Sequence, residues 1–273
     1  MIVDLHVHTN LSADSNVAPE KYLEFAAADG HGLGAICFTE HRLFPTDPEI
    51  DRTYAELAER FQIAIFKGIE ADTDLGHLLM FGVNKEIIRR FDLTARMLKS
   101  EHLIEVLHHE GGVAIPAHPF RDSGFGARLD DLLSRHGAAL GAVEVFNGQN
   151  SDDQNQRAQD AALKLGLTAV GGSDAHFVHE IVARSGVRIA RRSEEASQAG
   201  LCLVGHRDVG RPPQASQERL VGSEQLCARL ARREVLCEQA NRWSAQSPCG
   251  VLGHHVDVPF AAHAPLDDIR AGL

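Results

Sequence analysis

At 273 residues with a formal net charge of −11, the chain is long enough for one large α/β domain, with or without a small appendage, and buries a core without staples. Its acidity argues against an extended basic surface for long nucleic acids, and no apolar run approaches the ~20 residues that span a bilayer. The five cysteines have no C-x-x-C spacing, and four of them (Cys202, Cys227, Cys237, Cys249) fall late in the chain, so neither a disulfide framework nor a zinc ribbon is expected.

The first strand is expected at Ile2–Leu5 and runs into DLHVHT, where Asp4, His6 and His8 also interrupt any apolar leader and make a cytoplasmic protein the expectation. Side chains alternate faces along a strand, so His6 and His8 point the same way. By themselves they are as compatible with hydrogen-bonded structural histidines as with a metal. A helix over Pro19–Asp29 leads to a strand at Ala35–Phe38, a helix at Asp51–Arg60 and a strand at Ile63–Gly68. The step from Gly68 to the next strand, Leu78–Val83, is short and marks a local distortion. A helix over Thr94–Glu110, a strand at Val113–Ile115, a helix at Arg128–His136, a strand at Ala142–Phe146, a helix at Asp152–Leu165 and a strand at Thr168–Gly171 complete the regular part. Seven strands alternating with helices suggest a barrel or doubly wound sheet of parallel strands. From about Arg191 the alternation fades. Arg192–Gly200 reads as a capped helix with Ser193 at its N-cap and Ser223–Asn241 as another, so the chain divides into a barrel over residues 1–210 and an extension over 211–273.

Polar clusters then fall at strand ends: His6 and His8 at the first, Thr39-Glu40-His41 at the second, Gly68-Ile69-Glu70 at the third, His118 after the fifth, Glu144 to Asn147 at the sixth, and Asp174 with His176 at the seventh. His77 alone opens its strand instead of closing it. In a parallel barrel the carboxyl ends converge on one face, where such folds build their sites. A mixed His/Asp/Glu set without thiolates suits two or three divalent ions of zinc, manganese or iron. Glu70 can bridge two ions, and Asp14 can reach one from the loop after the first strand. His31, His102, His108, His109 and His136 fall on helices or loops and are expected at the surface. His206, His254, His255 and His263 scatter through the biased tail.

The series DLHVHT, FTEH, GIEAD, AHP and GGSDAH resembles the polymerase and histidinol phosphatase (PHP) domain family, from Met1 to about Arg192. The resemblance implies a distorted seven-stranded (β/α) barrel that holds two or three metals and hydrolyses phosphate esters. The ligands it implies are His6, His8, Asp14, His41, Glu70, His118, Asp174 and His176, with His77 the best match for the remaining imidazole. Glu40 stands where the second motif more often has Asp, a change expected to affect only a contact to the neighbouring imidazole. The extension after Arg211 matches nothing in the family.

On this reading, water of lowered pKa attacks phosphorus in line with the leaving oxygen, Asp174 is central to catalysis, and His176 or His8 is the candidate proton donor to the leaving group. Arg121 and Arg184 are candidates to grip phosphate and Asn147 to shape the rim. The expected partner is a small phosphorylated molecule or nucleotide, with neither long nucleic acid nor membrane. Two other classes stay open: a hydrolase of C–N or carboxylic ester bonds, against which stands the lack of a lysine at any strand end, and a metal-binding barrel without turnover that serves as a scaffold.

Overall fold

Short β-branched runs and amphipathic stretches alternate along the chain as strands and helices. The computed structural model describes residues 2–29, 32–123, 125–137, 139–181 and, as backbone, 185–189 and 201–205. The elements are β1 (Ile2–Val7), α1 (Pro19–Asp29), β2 (Leu33–His41), α2 (Pro48–Phe61), β3 (Ala64–Thr73), β4 (Gly76–Phe81), α3 (Lys85–Arg90), α4 (Ser100–His109), β5 (Val113–Pro116), α5 (Leu129–His136), β6 (Ala142–Asn147), α6 (Asp152–Leu165), β7 (Thr168–Gly172), β8 (Ser185–Ile189) and β9 (Leu201–Gly205). All seven expected strands form. The expected helices at Arg192–Gly200 and Ser223–Asn241, and the extension from 211, lie outside the described residues.

The strands are not all parallel, which corrects the expectation. β1–β2, β2–β3 and β6–β7 pair in parallel, whereas β3–β4 and β4–β5 are antiparallel. The link between β3 and β4 is far too short for a parallel crossover, which needs a dozen or more residues, so the chain turns back on itself. Gly76 makes that turn with φ +94°, and a Cβ there would lie 2.4 Å from the Gly126 carbonyl oxygen. The sheet runs β5-β4-β3-β2-β1-β8-β9, with β6-β7 as a separate pair. That pair completes a distorted barrel. Asp174 N donates to His6 O (2.7 Å) and His8 N to Ala175 O (3.0 Å), joining the exit of β7 to β1. On the other side, Ile115 and Ala117 share one core with Val143 and Val145 of β6. The antiparallel strands β8 and β9 beyond β1 were not expected, because five-residue runs such as SGVRI carry too little pattern to separate strand from loop.

α1 and α6 keep their expected bounds. α2 starts earlier because the Asp47 carboxylate caps it by accepting from Glu49 N (2.9 Å), with Pro48 in the first turn. α4 begins at Ser100 instead of Thr94 because the preceding residues pair with the β3–β4 hairpin: Leu98 N donates to Asp72 O, and Asp74 N donates to Leu98 O, both at 2.9 Å. The short α3, not expected, is capped by Asn84, which accepts from Glu86 N and Ile87 N.

Strand alternation positions both core and site. Ala35 and Cys37 of β2, Phe66 of β3, Leu79 and Phe81 of β4, and Val113 and Ile115 of β5 face one interior cluster. Each large side chain fully buried there contributes roughly 1.5–3 kcal/mol. Two and four residues further on, the same faces carry Thr39 and His41 on β2 and, four residues beyond Phe66, Glu70 on β3. Because β4 runs the other way, its inward face reaches the same mouth at its start, with His77. The outward faces pack Ile36 and Phe38 against Tyr22, Leu23, Tyr54 and Leu57 of α1 and α2. Leu78 and Met80 pack against Leu103, Ile104 and Leu107 of α4. On β1 the register with β2 breaks between Asp4 and Val7. Val3 and Leu5 face the apolar interior below the break, and His6 and His8 face the mouth above it. Among the described residues, no helix is long and apolar enough to cross a membrane.

Candidate metal centre

The barrel mouth brings His6, His8, Asp14, His41, Glu70, His77, His118, Asp174 and His176 together. His6 Nε2 and His8 Nε2 lie 3.1 Å apart. Glu70 Oε2 lies 3.3 and 3.2 Å from them, and Asp174 Oδ1 3.4 and 3.3 Å. The other Glu70 oxygen, Oε1, meets His77 Nδ1 at 2.7 Å and His118 Nε2 at 2.8 Å. His41 Nδ1 is 2.9 Å from Glu70 Oε2. Asp14, whose side chain is 52% exposed, caps the mouth with Oδ2 3.2 Å from His41 Nε2 and 3.4 Å from His176 Nε2. Glu70 is therefore shared between the two sides of the cluster.

Surrounding hydrogen bonds fix which nitrogen of each ring faces inward. The His6 Nδ1–H donates to Glu144 Oε1 (3.0 Å), because a carboxylate can only accept. The His8 Nδ1–H donates to Ser12 Oγ (3.3 Å), whose own proton goes to Glu40 Oε2 (2.6 Å). In the neutral rings, both Nε2 lone pairs then point into the same small space. Glu144 also accepts from His118 N (2.8 Å) and Asn147 Nδ2 (3.0 Å). Glu144 is expected only as a strand-end residue; the signal for its role is an acidic side chain inside the otherwise apolar AVEVF, and it is 1% exposed.

Asp174 is held from behind. Arg121 Nη2 donates to Asp174 Oδ2 (2.6 Å) and Asn147 Oδ1 (2.7 Å), and its Nε donates to Asn150 Oδ1 (2.9 Å). Arg121 Nη1 has no partner among the described residues. Asn147 is fully buried, and its amide is spent on Glu144, Asp174, Arg121 and Gln149 N. It keeps no donor or acceptor for a substrate, so its contribution is to hold the frame. Arg184 lies outside the described residues. Glu40 departs from expectation: instead of touching an imidazole it accepts from Thr9 N, Thr9 Oγ1 and Ser12 Oγ. His136 is buried, not at the surface, because it lies on the inward side of α5 with Leu129 and Leu132.

Backbone strain also concentrates here. His118 and Asp174 adopt φ +32° and +54°, a region that costs a non-glycine residue of order 1–3 kcal/mol and persists where surrounding contacts over-determine it. Gly172 lets β7 close on β1, since a Cβ there would fall 2.3 Å from His6 Cβ. Asp4 ties the same seam by accepting from Ser173 N (2.9 Å) and His6 N (3.2 Å), and burial pushes its carboxyl up to about 7.

The electrostatics call for positive charge. Burial alone would lower the pKa of His6, yet Asp174, Glu144 and Glu70 hold it well above the ordinary imidazole range. Burial likewise opposes protonation of His8, but Asp174 and Glu70 raise it to about 9. Burial would raise Glu70 and Asp174, and the surrounding histidines, His6 foremost, keep both well below the usual carboxylate range. His118 is lowered by burial. Two ligand-type atoms are left orphaned: Glu70 Oε2 and His118 Nδ1 are buried and make no hydrogen bond. Converging nitrogens, two shared carboxylates and unpartnered ligand-type atoms fit divalent cations. Three overlapping groups suit them, each with its ligand atoms within 4.8 Å of one another: His6, His8, Glu70 and Asp174; His8, His41 and His176; and His41, Glu70 and His77.

The PHP domain model matches residues 4–146, more than half of the chain. The chain belongs to the PHP family. A PHP-associated model follows over residues 152–185. An uncharacterised protein of Methanocaldococcus jannaschii is 27% identical over 164 residues, covering 56% of this chain and 85% of that protein. The histidinol-phosphatase of Lactococcus lactis is 40% identical over 85 residues, covering 27% of this chain but 30% of that protein. Among solved structures, PsfC from Pseudomonas syringae superposes with a TM-score of 0.51 at 24% identity, covering 70% of this chain and 83% of that one, a likeness of fold.

Proposed function

We propose that this PHP protein is a metal-dependent phosphoesterase acting on a small phosphomonoester or nucleotide, with its site in the barrel over residues 1–210 and residues 211–273 as an extension. The observation that carries the reading is the convergence of His6, His8, Glu70 and Asp174 at one buried point beside His41, His77, His118 and His176. In this assignment those eight residues and Asp14 are the ligands of two or three zinc, manganese or iron ions. Bound there, such ions supply charge for the phosphoryl oxygens and lower the pKa of water.

The chain's own residues do the rest. Glu144, Asn147 and the Nε and Nη2 atoms of Arg121 hold the inner groups in place, so little reorganisation is needed during reaction. Arg121 Nη1 is the nitrogen left to contact a phosphoryl oxygen. His8 is fully buried, whereas the His176 ring keeps an exposed edge and gives its Nδ1–H to Asp174 O (2.9 Å); with Nε2 assigned to a cation, neither ring keeps a free proton, so water is the proton donor to the leaving oxygen. A phosphate-release screen over nucleotides, sugar phosphates and diesters, run alongside metal analysis of the purified chain, tests this. Turnover with bound metal supports the reading. Stoichiometric metal with no release from any ester in the panel would turn the assignment toward a scaffold.

A further inference from the structure

Ser12 lies in the loop after β1 and is 4% exposed. Its hydroxyl has one proton and two lone pairs, and all are assigned. The proton goes to Glu40 Oε2 (2.6 Å). The lone pairs receive the backbone N–H of His41 (3.0 Å) and the ring Nδ1–H of His8 (3.3 Å). Because a carboxylate cannot donate, Ser12 must accept from His8, and His8 must present Nε2 inward. Glu40 is fully buried, and among the described residues no Lys, Arg or His pairs with it. Its carboxylate is compensated instead by the Thr9–Ser12 turn: Thr9 N (3.0 Å), Thr9 Oγ1 (2.6 Å) and Ser12 Oγ. A glutamate is one methylene longer than the aspartate more usual at this motif position, and here it bonds the Thr9–Ser12 loop.

We infer that Ser12, oriented by Glu40, is a positioning residue that presets His8 and His41 for the cation held with His176. This rests on the phosphoesterase reading only in taking those histidines as ligands. Ser12 touches two of the three members of the His8–His41–His176 group but only one of the four in the His6–His8–Glu70–Asp174 group. Its loss therefore weakens the first position more than the second. The turn itself survives, since Thr9 still holds Glu40.

The test compares the full-length wild type with Ser12→Ala and Ser12→Thr by zinc stoichiometry, chelator competition, and proton NMR of the hydrogen-bonded imidazole N–H signals in the zinc-loaded state. Loss of an outer hydrogen-bond partner typically costs 10–100-fold in metal affinity. Ser12→Ala is expected to weaken one zinc class by about that factor, to shift one imidazole N–H resonance and to leave another class nearly unchanged, while Ser12→Thr restores both readouts. Wild-type zinc affinity and unchanged imidazole signals in Ser12→Ala overturn the inference, as does a Ser12→Thr protein that loses zinc as fully as the alanine variant. A wild type that holds no zinc, manganese or iron sinks the ligand assignment itself, a separate failure.

Discussion

Glu70 shows at a single side chain why the mouth of this barrel suits cations. Its two oxygens face five imidazoles, those of His6, His8, His41, His77 and His118; one oxygen nevertheless makes no hydrogen bond. The neighbouring His8 gives a pH test. With no metal bound, its pKa stands at about 9 against an ordinary 6.5, so its contribution to stability is complete below pH 6.5 and is lost as pH rises through about 9. The Tm of the metal-free protein should accordingly fall between those limits. Zinc needs the deprotonated ring, so the rise in Tm that it produces should be largest at the upper end; a zinc effect that shrinks with rising pH would speak against His8 as a ligand. Glu144→Gln, which replaces the acceptor behind His6, should lower metal affinity about 10–100-fold with little change in secondary structure by circular dichroism. At this scale the strand-end residues were legible, because a polar side chain where an apolar run stops is unusual. The holding groups were not. Glu144 meets a ring 138 positions away, and Ser12 looks like any loop serine until Glu40 is placed beside it.

Elements were easiest to read where one local rule governs them. α6 kept its expected bounds because Ser151 and Gln154 form a reciprocal capping box and Gly166 closes the other end in the left-handed conformation. Ser151→Ala should destabilise the protein by about 1 kcal/mol in chemical denaturation. It should leave metal content unchanged, since the α6 residue that bonds Asn147 is not the cap but Asn155, which accepts from Asn147 N and donates to Asn147 O. A variant that loses metal in proportion to stability would show that the cap and the site are coupled. Misreadings came where tertiary pairing overrides local pattern. The reversal of β4 was visible only as a short link, yet it explains the one cluster out of place: His77 opens its strand because β4 enters the mouth that β3 leaves. The composition of the residues before α4 favours helix, while in the fold they pair with the hairpin.

At the scale of the whole molecule, the site exists only when the barrel closes. His6 and Asp174 come from opposite ends of the described chain and meet because β7 docks on β1 with no room for a side chain at Gly172. Gly172→Ala should destabilise the fold by roughly 1–3 kcal/mol and release metal, a pairing of effects that the capping variant should not show. Asp174→Asn and His6→Ala should abolish p-nitrophenyl phosphate hydrolysis while leaving the circular dichroism spectrum intact, and EDTA should do the same reversibly. The most direct measurement is an anomalous difference map at the metal absorption edge from crystals of the zinc- or manganese-loaded chain. The expected map shows a peak enclosed by His6, His8, Glu70 and Asp174, with further density toward His41 and His176; ordered side chains in these positions with anomalous density elsewhere, or none, would contradict the metal assignment.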